Sequence, residues 1–167
     1  MSVTELCRWA IAALLTGVLG WASFRDIRDR KIPNWTVLAV LALAVPWMAL
    51  NPVTWDLWAL GAGGLALLIS FALYSTGVVG AGDSKLFAAV ALFAGMAHLL
   101  TLALATAIAG GAIAAVSLGS RPRRALVMLT MRGKGDFGRG IPYGVAIAIG
   151  AALVVWAALL KLSLPEY

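Results

Sequence analysis

Seven acidic side chains are the only groups in this chain with obvious catalytic potential: Glu5, Asp26, Asp29, Asp56, Asp83, Asp136 and Glu166. A single cysteine, Cys7, cannot form an intramolecular disulfide or a Cys-based zinc site, which need at least two thiols. A single histidine, His98, argues equally against a His-ligated metal centre. We therefore expect no metal and no cofactor. What remains is carboxylate chemistry. Two carboxylates brought together in a low-dielectric site cannot both ionise easily, so they share one proton. The ionised partner can then take a proton from water while the protonated one donates to a carbonyl.

Three acidic residues sit in suggestive strings. Asp26 opens Asp26-Ile27-Arg28-Asp29-Arg30-Lys31-Ile32-Pro33-Asn34, directly after an apolar run. With Arg25 before it, the string also reads as a charged loop balancing four cations, and Ile32-Pro33-Asn34 as the start of a helix, Pro setting the turn. Asp83 stands in Gly80-Ala81-Gly82-Asp83-Ser84-Lys85. There it can serve as an N-cap, accepting from free helix N–H groups, with the glycines making a tight turn. Capping and catalysis are compatible, because a helix N-terminus favours an ionised carboxylate. Gly133-Lys134-Gly135-Asp136 repeats the Gly-x-Gly-Asp pattern, but among cations and with no helix to follow. Asp136 is read as a solvated loop residue.

The elements that must position these groups follow from composition. Of the 167 residues, 62% are hydrophobic and 12% charged, against about 45–50% and about 25% in an average soluble domain. A chain this short hides only about 70% of its unfolded surface when it folds alone. That excess excludes a soluble monomer, a disordered chain and a nucleic-acid-binding domain, despite the net charge of +6. The expected class is an all-α, polytopic membrane protein with the lipid bilayer as partner and no nucleic acid.

Crossing about 30 Å of hydrocarbon takes roughly 20 apolar residues. Such runs occur at Leu6–Phe24, Trp35–Leu50, Leu57–Thr76, Leu86–Leu118 and Ile141–Leu160. The first is read as a retained membrane helix rather than a removed secretory signal. Charge decides how the fourth run divides. Arg25, Arg28, Arg30 and Lys31 follow the first run, Lys85 follows the third, and six Lys/Arg lie between Arg121 and Arg139. Short loops rich in Lys and Arg stay in the cytoplasm. Splitting Leu86–Leu118 near Gly95–His98 places 11 of the 13 cations inside. The expectation is six helices, both termini outside, with a short fourth helix at about Ser84–Gly95 that starts below the membrane surface or packs on neighbours rather than lipid. Asp26, Asp29, Asp83 and Asp136 then share the inner side, and only they can form a common site.

Trp21, Trp35, Trp47, Trp55, Trp58 and Trp156 fall mostly near span ends, as interfacial anchors do. Gly61, Gly63, Gly64, Gly110 and Gly111 would let helices approach closely. Within Gly119–Gly140, residues 124–131 read either as an amphipathic helix on the anionic leaflet or as plain loop.

The two Asp strings together resemble the type IV prepilin peptidase family of membrane aspartic proteases. Asp26 lies seven residues before Pro33 of Ile32-Pro33-Asn34, and GAGDSK from Gly80 to Lys85 matches the family's Gly-x-Gly-Asp-x-Lys at the head of a helix. Ile141-Pro142-Tyr143-Gly144 resembles the family's C-terminal part. The likeness covers essentially the whole chain, as a single peptidase domain over 1–167. It implies a catalytic pair, Asp26 and Asp83, with Gly80 and Gly82 admitting substrate backbone and Lys85 tuning charge or holding the loop. Asp29, four residues before Pro33, does not hold the family position and is the weaker candidate. The implied reaction removes the basic leader from pilin-like precursors, after a glycine, at the cytoplasmic face of the inner membrane. Larger members carry a four-cysteine zinc motif and methylate the new N-terminus. This chain resembles instead the small peptidase-only branch of tight-adherence (Flp-type) pili, so no methyltransferase activity is expected, and pilus assembly machinery is the implied further partner. Archaeal preflagellin peptidases are relatives of similar size.

The competing reading is a non-enzymatic six-helix subunit of a secretion or transport complex, its aspartates acting as caps and charge balance. A transporter would carry ionisable residues near the midplane, and the span interiors hold little beyond Thr and Ser.

Overall fold

The computed structural model describes residues 2–50, 57–77, 79–119 and 143–160. Among these the protein is all-helical, with six helices: α1 (Val3–Asp29), α2 (Asn34–Leu50), α3 (Leu57–Ser75), α4 (Ala81–Ala94), α5 (Leu99–Gly119) and α6 (Tyr143–Leu159). The long apolar run does break at Gly95–His98, as its length and the flanking charges require. The cause is local: Gly95 caps α4 at φ 65° and ψ −179°, its N–H donating to the Ala91 carbonyl. That backbone conformation is essentially open only to glycine.

Three helices, α1, α3 and α5, are long and apolar enough to cross a membrane, and α2 and α6 are shorter apolar helices. α4 is the hub. Its 14 residues span about 21 Å, less than the hydrocarbon thickness. From Ser84 to Ala94 only Lys85 is exposed, because α2, α3 and α6 pack around it. The fourth helix therefore packs on protein rather than lipid. α1 lies against α2 and α6, and α5 against α6. The core joins Leu15 and Leu19 of α1, Val40 and Trp47 of α2, Leu86 and Phe93 of α4, and Val154 and Val155 of α6.

Trp47 corrects one expectation. It is not an interfacial anchor but a core residue, 2% exposed, its indole N–H donating to the Phe93 carbonyl at 3.3 Å. Trp156 also turns inward, stacking edge-on with Trp9 and donating to the Thr16 hydroxyl. Trp21, Trp35 and Trp58 are exposed. Trp55, residues 124–131 and Asp136 lie outside the described residues.

The glycines divide too. A Cβ on Gly63 would run into the Leu92 side chain of α4, whereas Gly64 and Gly111 face open space. Gly61 and Gly110 make ordinary contacts. α5 also comes close to α6 at Gly150, where a Cβ would press onto Thr106 and the Leu102 carbonyl.

Candidate active site

Asp26 lies within α1, one turn before its end, because the helix runs on to Asp29 rather than stopping at the apolar run. Only 7% of Asp26 is exposed. Burying a carboxylate is costly unless it is hydrogen-bonded, and the partner comes from the far end of the chain. The Gly144 backbone N–H, in the first turn of α6, donates to Asp26 Oδ2 at 2.8 Å. It is one of the N–H groups that a helix start leaves without an intrahelical acceptor. Glycine is required there by space: a Cβ on residue 144 would stand 2.9 Å from Oδ2 and 3.3 Å from Cγ of Asp26. Arg30 lies within electrostatic reach of Asp26.

Asp29 goes elsewhere. Its carboxylate pairs with the Arg25 guanidinium at 2.8 Å on an exposed surface, one helical turn apart.

Arg30 closes α1 in the left-handed region at φ 54°, and its N–H donates to the Asp26 carbonyl. This turns the chain sharply, and α2 begins four residues later at Asn34. Pro33 sits half-buried at that corner and its carbonyl accepts from both the N–H and the hydroxyl of the buried Thr36. Asn34 is exposed.

The corner docks on the second motif. A Cβ on Gly82 would lie 3.2 Å from Ile32 Cβ, so the first loop and the head of α4 touch where residue 82 has no side chain. This corrects the tight-turn reading of the glycines. Neither Gly80 nor Gly82 adopts a positive φ; both are needed for close approach. Gly80 is the N-cap residue in extended backbone, and a Cβ there would stand 2.8 Å from Asp83 Oδ2.

Asp83 is likewise not the N-cap. It occupies the third position of α4, and the cap residue makes no side-chain bond. Instead the Gly80 N–H donates back to the Asp83 carboxylate, the reach-back half of a capping box. The Asp83 and Asp26 carboxyl groups are near enough to interact electrostatically. Asp83 Oδ1 is buried and has no hydrogen-bond partner. Lys85 points outward and is exposed.

Two supports escaped the sequence reading. Gly144 stands out in the sequence only as part of the Ile141-Pro142-Tyr143-Gly144 string. Ser70 of α3 and Ser84 of α4 meet across the helix contact: Ser84 Oγ donates to the Ser70 carbonyl at 3.0 Å, while the Ser70 hydroxyl donates chiefly to the Ala66 carbonyl at 2.6 Å and reaches the Ser84 carbonyl only at 3.3 Å. Both are buried. The available signal was a hydroxyl inside an apolar run, which in membrane helices marks a helix contact.

Beside Asp83 a cavity of about 220 Å³ opens between α3, α4, α5 and α6, its wall almost wholly apolar.

The fold and site define an all-helical protein in which a buried carboxylate of α1 is held by the N-terminus of α6 and lies within electrostatic reach of a second carboxylate on α4. Residues 13–115, which include both Asp strings, match the type IV leader peptidase family, and the chain belongs to that family. It is a protease of the type IV leader peptidase kind. With three helices fit to cross a bilayer, family membership suggests a membrane protein. No curated protein and no solved structure matches the chain.

Proposed function

We propose that this protein is a membrane aspartic endopeptidase that removes the leader peptide of Flp-like type IV prepilins, with Asp26 and Asp83 as the catalytic pair. The observation that carries this reading is the approach of two mostly buried carboxyl groups, one of which keeps an unpartnered oxygen. A buried carboxylate oxygen with no protein partner is placed to hold a water.

In the proposed step the pair holds one proton. The ionised carboxylate takes a proton from water as the water oxygen bonds to the scissile carbonyl carbon, and the protonated carboxyl gives its proton to the carbonyl oxygen. The resulting tetrahedral diol collapses when the C–N bond breaks: the leaving amine takes up the pair's proton, and a diol hydroxyl returns its proton to the ionised carboxylate, leaving the new carboxyl group and the pair with one proton again. Gly144 and Gly80 each hold one carboxylate by a backbone N–H, which orients the acids without adding charge. Gly82 lets the Ile32-Pro33-Asn34 corner sit beside the pair, and Lys85 lies at its solvent side.

The six helices are read as six spans with both termini outside, one membrane-embedded peptidase domain in the inner membrane. The Lys/Arg distribution then puts the pair at the cytoplasmic face, where a basic leader would lie. The test is co-expression of a pilin precursor with wild type, Asp26→Asn or Asp83→Asn, following leader removal by mass. Leader removal should stop with either variant; cleavage that persists in both would overturn the assignment.

A further inference from the structure

The end of α1 away from Asp26 also carries a buried polar atom without a partner. Arg8 stands about 27 Å from Asp26 along the helix, at about 1.5 Å of rise per residue, close to the roughly 30 Å of a bilayer's hydrocarbon. In the six-span reading it is one of two Lys/Arg among the 13 that fall on the outer side. With Asp26 near the inner surface, Arg8 comes level with the outer headgroups.

The Arg8 guanidinium lies over the Trp47 ring of α2, 5.8 Å from its centroid, inside the roughly 6 Å range of cation–π attraction. Trp47 is itself held in place. Its indole N–H donates to the Phe93 carbonyl, and the Phe93 ring packs on it at 5.7 Å. An aromatic face attracts the charge but offers no oxygen to the N–H groups. Nε of this half-buried arginine is buried and has no hydrogen-bond partner. Among the described residues no carboxylate pairs with Arg8; Glu5, one turn earlier, reaches back to the Ser2 N–H. A buried donor left in that condition is costly, more so when it is charged.

Geometry and depth choose the ligand. Arginine presents Nε–H and a terminal N–H side by side, a fork that matches two oxygens of one carboxylate or phosphate. At the polar headgroup region that flanks the hydrocarbon, phospholipids supply the phosphate. Resting on the six-span reading and not on the catalytic pair, we propose that Arg8, backed by Trp47, binds the phosphate of an outer-leaflet phospholipid through Nε and one terminal nitrogen.

The test titrates the full-length protein in detergent with phosphatidylglycerol and counts bound lipid by native mass spectrometry. Wild type should hold one lipid that Arg8→Gln binds about 10- to 100-fold more weakly, as loss of a charge-assisted hydrogen bond implies. Arg8→Lys keeps the charge without the fork and should still bind about threefold or more below wild type. Arg28→Gln removes an exposed cation from the other end of α1 and should bind like wild type. Circular dichroism melts without lipid check that each variant is folded, and the lysine variant serves if the glutamine one is not. Equal affinity in wild type and Arg8→Gln would overturn the site, and Arg8→Lys binding like wild type would overturn the fork. An equal loss in Arg28→Gln would also overturn it, showing only general attraction of lipid to a basic protein. Inorganic phosphate at millimolar concentration should not displace the lipid; displacement would mean a free-phosphate site and end the lipid assignment. No arm depends on leader removal, so the lipid site and the catalytic pair stand or fall separately.

Discussion

Gly144 and Asp26, 118 residues apart, are joined by a 2.8 Å hydrogen bond from a helix-terminal N–H to a buried carboxylate oxygen. The bond ties the last described helix to the first, and it holds one half of the proposed catalytic pair in place. Since the glycine has no side chain, the helix end can approach the carboxylate closely. Replacing Gly144 by Ala puts a carbon 2.9 Å from Oδ2, so either the carboxylate or α6 must shift. A misplacement of about 1 Å near a reacting centre can cost about 100-fold. Gly144→Ala should lower the leader-removal rate by that order while the protein still accumulates in the membrane, measured by mass analysis of precursor beside an immunoblot.

Asp26→Asn and Asp83→Asn keep shape and remove charge. A positioned acid or base contributes about 10²–10⁴-fold, and each variant should lose at least that much cleavage. Because the two acids act as one unit, the double variant should be little worse than either single. Additive losses would speak for independent roles.

Asp29→Asn provides the contrast. Asp29 is engaged with Arg25 at the surface, and exposed pairs of this kind contribute about 0.2–1 kcal/mol. Cleavage should remain within twofold of wild type, and thermal unfolding in detergent should move little. A large loss of cleavage would show that the first motif depends on more than Asp26.

The Ser84 hydroxyl fastens the head of α4 to the Ser70 carbonyl of α3, one residue from Asp83. Interhelical polar contacts in membrane proteins average about 0.6 kcal/mol. Ser84→Ala should lower the unfolding free energy by about that much. Ser70→Ala leaves the carbonyl that Ser84 uses in place, so the double variant should lose the sum of the two single losses, read by unfolding in detergent; a clear departure from additivity would mean that the two hydroxyls act as one unit.

At the other end of α4, Gly95 holds φ 65° and ψ −179°. An alanine there costs about 1–3 kcal/mol in strain, with nothing removed from the site. Gly95→Ala should lower the unfolding midpoint while the KM of whatever enzyme remains folded is unchanged.

Much of the architecture was open to reading from local sequence alone. Run length sets where a helix can span, and the Lys/Arg distribution along the chain calls for the break at Gly95–His98; neither needs a contact between residues distant in the chain. The spacing of Asp26 to Pro33 and the Gly80–Lys85 string likewise name candidate residues without any fold. Tertiary structure decided what those residues meet. Whether Trp47 faces lipid or core, whether Gly80 serves a turn or makes room for Asp83, and which of Asp26 and Asp29 is buried are questions of helix rotation and packing. So is the role of Gly144, because a hydrogen bond across 118 residues leaves no periodicity at either end. The chain by itself determined an all-helical membrane-type protein with two motif aspartates. Only the packing of α1, α4 and α6 brought them within electrostatic reach of each other, and the hydrogen bond that makes burial of Asp26 affordable comes from α6 rather than from its own helix.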